Sequence, residues 1–244
     1  MTFPYDVVTF DCYGTLIDWE TGLREAFVAA AGFAGPVDLD RAVALYLEIE
    51  RVVEHEPYQS YRGVVTETTR RVAARLGWRL ADARAGFVAD SIPGWRPFRD
   101  TNPALRRLTD AGYTLGILSN VDDDVLAWTR RHFTAKFEVV VSAEDVGSYK
   151  PALGHFVRAH EIIREIEETA RAGRPGPPVS RLGPDGLRWL HAAQSYFHDV
   201  EPACALGIPV AWVNRKGQTP AGAARPGAEF PTLEGLATWL TENP

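Results

Sequence analysis

"VVTFDCYGTL", residues 7–16, decides the fold. A short apolar run ends at an acidic side chain, Asp11, and "YGT" then turns the chain away. Near-continuous hydrophobicity without alternation is the mark of a parallel strand covered on both faces. Runs of the same kind recur as "TLGIL" (114–118), "FEVVVS" (137–142), "RWLHAA" (188–193) and "PVAWV" (209–213). Helical stretches are expected at 103–111, 123–133, 152–170, 200–206 and 233–242. Strand–helix alternation of this kind implies an α/β fold built on a doubly wound parallel sheet with right-handed crossovers.

Residues 18–96 break the alternation. "TGLREAFVAAAG", "LDRAVALYLEIERVVEHE", "YRGVVTETTRRVAARLG" and "LADARAGFVADSI" all carry helical periodicity with almost no strand signal. The expected organisation is a core domain of residues 1–17 and 97–244, with 18–96 inserted as a helical cap. "PGWRPFRDTNP" (93–103) reads as its return hinge. Two stretches rich in proline and glycine, 171–186 and 215–231, read as surface loops.

The 244 residues can bury a full core, and the net charge of −6, with 26 scattered basic residues, argues against nucleic acid as a partner. Cys12 and Cys204 sit in apolar contexts and read as buried thiols of a cytoplasmic protein. Neither a signal peptide nor a run long enough to span a membrane is visible.

In open α/β sheets, ligands gather outside the carboxyl ends of the strands, where strand order reverses. The residues placed there are Asp11, then Ser119 and Asn120, then "SAEDVGSYK" leading to Lys150, then "QSYFHD" ending in Asp199. A carboxylate nucleophile needs a cation beside it to stay ionised, which suits Lys150. Backbone N–H groups of the "CYGT" turn at Cys12 and Tyr13, with the Thr15 and Ser119 hydroxyls, suit an anion or leaving group. Asp199 is then free to orient or deprotonate a water.

"DCYGTL" (11–16), "LSN" (118–120), "YKP" (149–151) and "HD" (198–199) before "ALGIPVAWVNR" resemble the ordered motifs of the haloacid dehalogenase superfamily. The resemblance implies a Rossmann-like core, with the cap where residues 18–96 lie. It also implies that Asp11 is the nucleophile, Lys150 the charge-balancing cation and Asp199 the last-motif carboxylate, with Thr15 and Ser119 as contacting hydroxyls. The family's phosphatases carry an aspartate two residues after the nucleophile, as a general acid, and bind magnesium. This chain has Tyr13 there, and Gln194 five residues before Asp199. A halide needs no proton to depart, and the "DxYGT" form at 11–15 resembles that of the family's (S)-2-haloacid dehalogenases; the resemblance implies a hydrolase working through an aspartyl ester without a cofactor. The alternatives are a Mg2+-dependent phosphatase of a small phosphate ester and a catalytically diverged relative. The implied partners are a small-molecule substrate and, as in many members, a second copy in a homodimer.

Departures from the dehalogenase pattern fall at Leu47, where those enzymes hold the substrate carboxylate with a cap arginine (Arg51 follows one turn on), at Phe156 for a tyrosine, and at Tyr196 for an asparagine. Cys12, Tyr13, Asn120, Trp19, Tyr196 and His198 complete the set of candidate substrate contacts. Trp19, Tyr46, Tyr58, Tyr61 and Trp95 read first as packing residues, and Asp122, Asp123 and Asp124 as acids favoured at a helix start. The six histidines show no zinc spacing.

Overall fold

The computed structural model describes residues 5–34, 38–172 and 187–242. Six parallel strands lie in the order β3-β2-β1-β4-β5-β6. They are β1 Val7–Phe10, β2 Thr114–Ser119, β3 Val139–Ser142, β4 Trp189–Ala193, β5 Val210–Val213 and β6 Ala228–Phe230. The order reverses at β1, whose neighbours are β2 and β4. The crevice outside its carboxyl end is where the switch-point rule places a ligand.

Successive strand residues face opposite cores. Val8, Phe10, Leu190, Ala192, Ala211 and Val213 join one cluster. Val7, Trp189, Val210 and Trp212 join the other. Burial on both faces is why these strands read as unbroken apolar runs. Helices α5 (Thr101–Asp110) and α10 (Leu233–Glu242) pack together on the first face, and α8 (Gly154–Ala172) covers β2 and β3 on the second.

Between β1 and β2 come α1 (Trp19–Ala34), α2 (Leu39–Glu54), α3 (Tyr61–Leu76) and the short α4 (Phe87–Ser91). Helix α2 starts where the Asp38 carboxylate accepts the Arg41 N–H. Helix α3 starts at Ser60, whose hydroxyl accepts the Gly63 N–H, and ends at Gly77 in the left-handed region. Leu23, Phe27, Tyr46, Ile49, Val64 and Val88 carry the first core into this helical insert.

Several expectations change. Residues 215–231 are not all loop: β6 pairs with β5. At three residues, none of them fully buried, it is too short and too exposed for a periodicity signal. The helix expected over 80–92 is broken into 3-10 turns at Asp82–Arg84 and Ile92–Gly94 around α4. The helix expected over 123–133 is α6 (Asp123–Thr129), followed by a 3-10 turn. Before α9 (Glu201–Ala205) the chain makes a π-helical turn over Tyr196–Val200 that contains Asp199. Helix α8 takes in 171–172, and the rest of the loop expected at 171–186 lies outside the described residues.

Asp122 does more than favour its own helix. Its carboxylate accepts the Tyr61 N–H at 2.7 Å and the Arg62 N–H at 3.0 Å, capping α3 from across the insert boundary. Asp122→Ala leaves two helix-start donors without acceptors, at a cost of about 1–3 kcal/mol. The expected outcome is a lower urea midpoint, with Asp122→Asn recovering part of the loss; an unchanged midpoint contradicts the tether.

Candidate active site

Asp11 follows β1 directly, its N–H held by the Ala192 carbonyl of β4 at 3.1 Å. The turn beyond it closes through Leu16 N–H to Cys12 O and Gly14 N–H to Ile17 O, both 2.8 Å. Gly14 has φ +98°, and a Cβ there would lie 3.0 Å from Gln194 Oε1 and 3.1 Å from Trp19 Nε1. Only glycine lets this turn pass so close to its neighbours. Thr15, inside the turn, donates from Oγ1 to Asp11 Oδ2 at 2.9 Å and accepts the Gln194 N–H at 2.8 Å.

Lys150 joins the strand ends. Its ammonium donates to Asp11 Oδ1 at 2.9 Å, Asp199 Oδ1 at 2.6 Å and the Leu118 carbonyl at 2.8 Å. Asn120 holds the lysine backbone from both sides, accepting its N–H at 2.7 Å and donating to its carbonyl at 3.0 Å. Asp11, Lys150 and Asp199 are 7 %, 2 % and 0 % exposed. Burial opposes charge on Lys150, yet Asp11 and Asp199 outweigh it and keep the ammonium firmly protonated. Burial alone would raise Asp199; Lys150 and His191 overcome that and hold it well below the usual carboxylate range. Burial leaves Asp11 above its ordinary value despite Lys150, and so more basic than a solvated carboxylate.

A hydrogen-bonded chain behind Asp199 was not legible as part of the site. The Trp189 indole N–H donates to Thr9 Oγ1 at 2.7 Å, and that hydroxyl contacts His191 Nδ1 at 2.9 Å. His191 Nε2 lies 3.0 Å from Asp199 Oδ1. Asp199 is ionised and can only accept, so His191 Nε2 donates to it, with Nδ1 turned to the Thr9 hydroxyl. Thr9 and His191 are direct partners across β1 and β4. A polar residue inside each of two apolar strands was the signal for this chain. Asp199 Oδ2 has no hydrogen-bond partner and neither has Ser119 Oγ, although both residues are fully buried.

The remaining candidates divide. Tyr13 contacts Thr129 Oγ1 through its hydroxyl at 2.6 Å and meets Trp95 edge-on. Burial pushes its phenol well above 10, making it a poor acid. Cys12 is fully buried in the first core cluster, so it offers its backbone rather than its thiol. Asn120 serves Lys150. Trp19 packs at the edge of the core beside Gly14. Tyr196, expected near substrate, instead packs on Trp212 in the second core cluster with its hydroxyl donating to the Ala224 carbonyl at 2.6 Å. His198 contacts Ser195 Oγ through Nδ1 at 3.0 Å and turns Nε2 towards Glu54 of α2. Leu47 is part of the packing around the first core, and Arg51 is exposed. Phe156 lies edge-on against His191.

These residues do not fit a divalent cation. Asp11 and Asp199 are the carboxylates at the strand ends, and each gives an oxygen to Lys150. Gln194 brings an amide, and no group of three or more His, Cys, Asp or Glu among the described residues is arranged to hold a metal.

A haloacid dehalogenase-like hydrolase family model matches residues 5–173, well over half of the chain, and the chain belongs to that family. Within it, the (S)-2-haloacid dehalogenase of Pseudomonas putida is 25% identical over 241 residues, covering 97% of this chain and 96% of that protein. An (S)-2-haloacid dehalogenase of Pseudomonas fluorescens is 26% identical over 239 residues, covering 96% of each. The structure of L-2-haloacid dehalogenase from Xanthobacter autotrophicus shares the fold, with a TM-score of 0.74 at 20% identity over 96% of this chain and 98% of that one. No helix among the described residues is long and apolar enough to cross a membrane.

Burial keeps two histidines of the site uncharged. It lowers His155, which contacts the Ser119 carbonyl through Nε2 at 3.0 Å, to about 3, and lowers His198 to about 4. Unfolded histidine takes up a proton near 6.5, so below that pH the unfolded chain binds more protons than the folded one. Stability is therefore expected to fall as pH drops from about 6.5 towards 4, by up to about 1.4 kcal/mol per pH unit for each histidine. His155→Gln, which keeps a donor for Ser119, should flatten that slope in pH-dependent denaturation. An unchanged slope contradicts the assignment.

Proposed function

We propose that the chain hydrolyses the carbon–halogen bond of a short 2-haloacid, with residues 18–96 as a cap closing over the core. The observation that carries this reading is the Lys150 ammonium shared by Asp11 and Asp199, with Tyr13 where a proton donor would serve a phosphate ester. Lys150 and Thr15 fix the two oxygens of Asp11. One of these oxygens attacks the substrate carbon; the new C–O bond forms as the C–halogen bond breaks, and halide leaves with the bonding pair. Halide is a weak base and departs unprotonated, so Tyr13 need give up no proton.

The second step restores the enzyme. Water adds to the Cγ carbonyl of the aspartyl ester while its proton passes to Asp199, whose Oδ2 is free of other hydrogen bonds. The tetrahedral intermediate collapses to the Asp11 carboxylate and a 2-hydroxyacid, and the proton is released. Overall, haloacid and water give hydroxyacid, halide and a proton. Lys150 balances the developing negative charge in both steps, and backbone N–H groups of Cys12 and Tyr13 with Ser119 Oγ are the donors for the substrate's anionic group. The curated relatives named as (S)-2-haloacid dehalogenases support the choice of substrate class, and the donor set supports a reaction that needs no metal.

Halide release from a panel of short 2-haloacids tests the reading. Turnover is expected to be indifferent to chelator and to fall at least about 10^3-fold in Asp11→Asn, as for loss of a nucleophile. Turnover of phosphate esters that chelator abolishes would support the phosphatase instead.

A further inference from the structure

Asp199 presents its two carboxylate oxygens unequally. Oδ1 accepts from the Lys150 ammonium at 2.6 Å and from His191 Nε2 at 3.0 Å. Oδ2 is buried as well and has no hydrogen-bond partner. Lys150 has nothing to give it, since its three protons go to Asp11, Asp199 and the Leu118 carbonyl. An open acceptor in a dry site is costly, and a carboxylate free to turn about Cβ–Cγ would not keep it open. Something has to hold the group in one orientation.

Lys150 alone gives one bond to Oδ1, about which the carboxylate could still pivot. His191 gives the second, from a different element. It lies on β4 and pairs in register with Thr9 of β1, the strand that ends at Asp11. Its Nδ1 is 2.9 Å from Thr9 Oγ1, and the Trp189 indole N–H donates to the same hydroxyl at 2.7 Å. Trp189, Thr9 and His191 are all buried, and Phe156 meets the imidazole edge-on without adding a polar group. Both ring nitrogens thus have partners on the sheet or on the turn after it, so the ring cannot flip without losing both. The strand of the nucleophile and the turn of the base are tied together behind the site as well as through Lys150.

The chain holds but does not conduct. Its far end is an indole N–H, which donates and cannot accept. A proton that reaches Asp199 therefore has no exit through His191, Thr9 and Trp189. It can be taken up and given back only at Oδ2, on the side of the reacting atoms.

We infer that His191 is a positioning residue: its Nε2–H, backed by Thr9 and Trp189, occupies Asp199 Oδ1 and commits Oδ2 to receive the proton of the attacking water. The inference rests on the dehalogenase reading and assigns His191 to the second step of that reaction. Asp11 is oriented by Lys150 and Thr15, so ester formation does not depend on His191. Ester hydrolysis does.

Rapid-quench mass spectrometry of the Asp11 peptide, with (S)-2-chloropropionate as substrate, reads the two steps separately. His191→Asn and His191→Gln are compared with the native chain, each checked for a native thermal transition. The asparagine amide stands near the place of Nδ1, keeping a partner for Thr9 but falling short of Asp199; the glutamine amide reaches the place of Nε2. His191→Asn is expected to form the ester within about threefold of the native rate and to clear it about tenfold or more slowly. His191→Gln should clear it within about threefold of native. Clearance at the native rate in His191→Asn, equal slowing of both steps, or no recovery in His191→Gln overturns the positioning role; ester formation and halide release by the native chain still uphold the dehalogenase reading. A second arm needs neither substrate nor variant. NMR of the native chain with isotope-labelled histidine should show a proton on His191 Nε2 protected from exchange, and a bare Nε2 overturns the role. If the native chain forms no ester and releases no halide from any short 2-haloacid, the dehalogenase reading falls, while a protected Nε2 proton keeps His191 as the group that orients Asp199.

Discussion

The arrangement depends on one buried ammonium. Lys150 comes from the segment after β3, Asp11 from the end of β1 and Asp199 from the turn after β4, and the three meet within 2.9 Å. Without that cation two carboxylates would share a dry site, which costs several kcal/mol per ion before their mutual repulsion is counted. The lysine cannot drift, because Asn120 grips its backbone and the Leu118 carbonyl takes a third proton of the ammonium. The charge pattern of the site is therefore built into how three strand ends are spaced in the sheet.

The strand ends also explain what sequence could and could not reveal. The strands are buried on both faces, so their apolar runs were visible, and the rule for open sheets pointed at Asp11, Ser119, Lys150 and Asp199 without any side-chain geometry. What escaped lies where no periodicity reports. β6 is three residues long. The π-helical turn depends on Ser195 capping the His198 N–H, a local contact that pattern cannot show. Tyr196 looked like a pocket residue by position, but the same turn rotates it into the second core. The Trp189–Thr9–His191 chain requires knowing that β1 and β4 are neighbours in register, which strand identity alone does not give.

Two separate surfaces divide the labour. The core supplies the carboxylate pair, the balancing lysine and donors for an anion, all set by strand ends and by the turn around Gly14. The insert supplies an acidic and aromatic face, Tyr46, Glu50 and Glu54, where the family resemblance led one to expect a basic residue. Leu47 is packed rather than presented, and Arg51, exposed on the same helix, is close enough for its charge to act on Glu50 and Glu54. On the proposed reading the chemistry belongs to the core, and the insert turns Tyr46, Glu50 and Glu54 towards it.

The central claim is that Asp11 forms a bond to carbon and that water then attacks its own carboxyl carbon. A single turnover in heavy-oxygen water, followed by mass spectrometry of the peptide containing Asp11 and of the hydroxyacid, tests it directly. The expected result is label in the Asp11 carboxylate, with product oxygen drawn from the unlabelled enzyme. Label appearing in the product of that first turnover, with Asp11 unlabelled, contradicts the account.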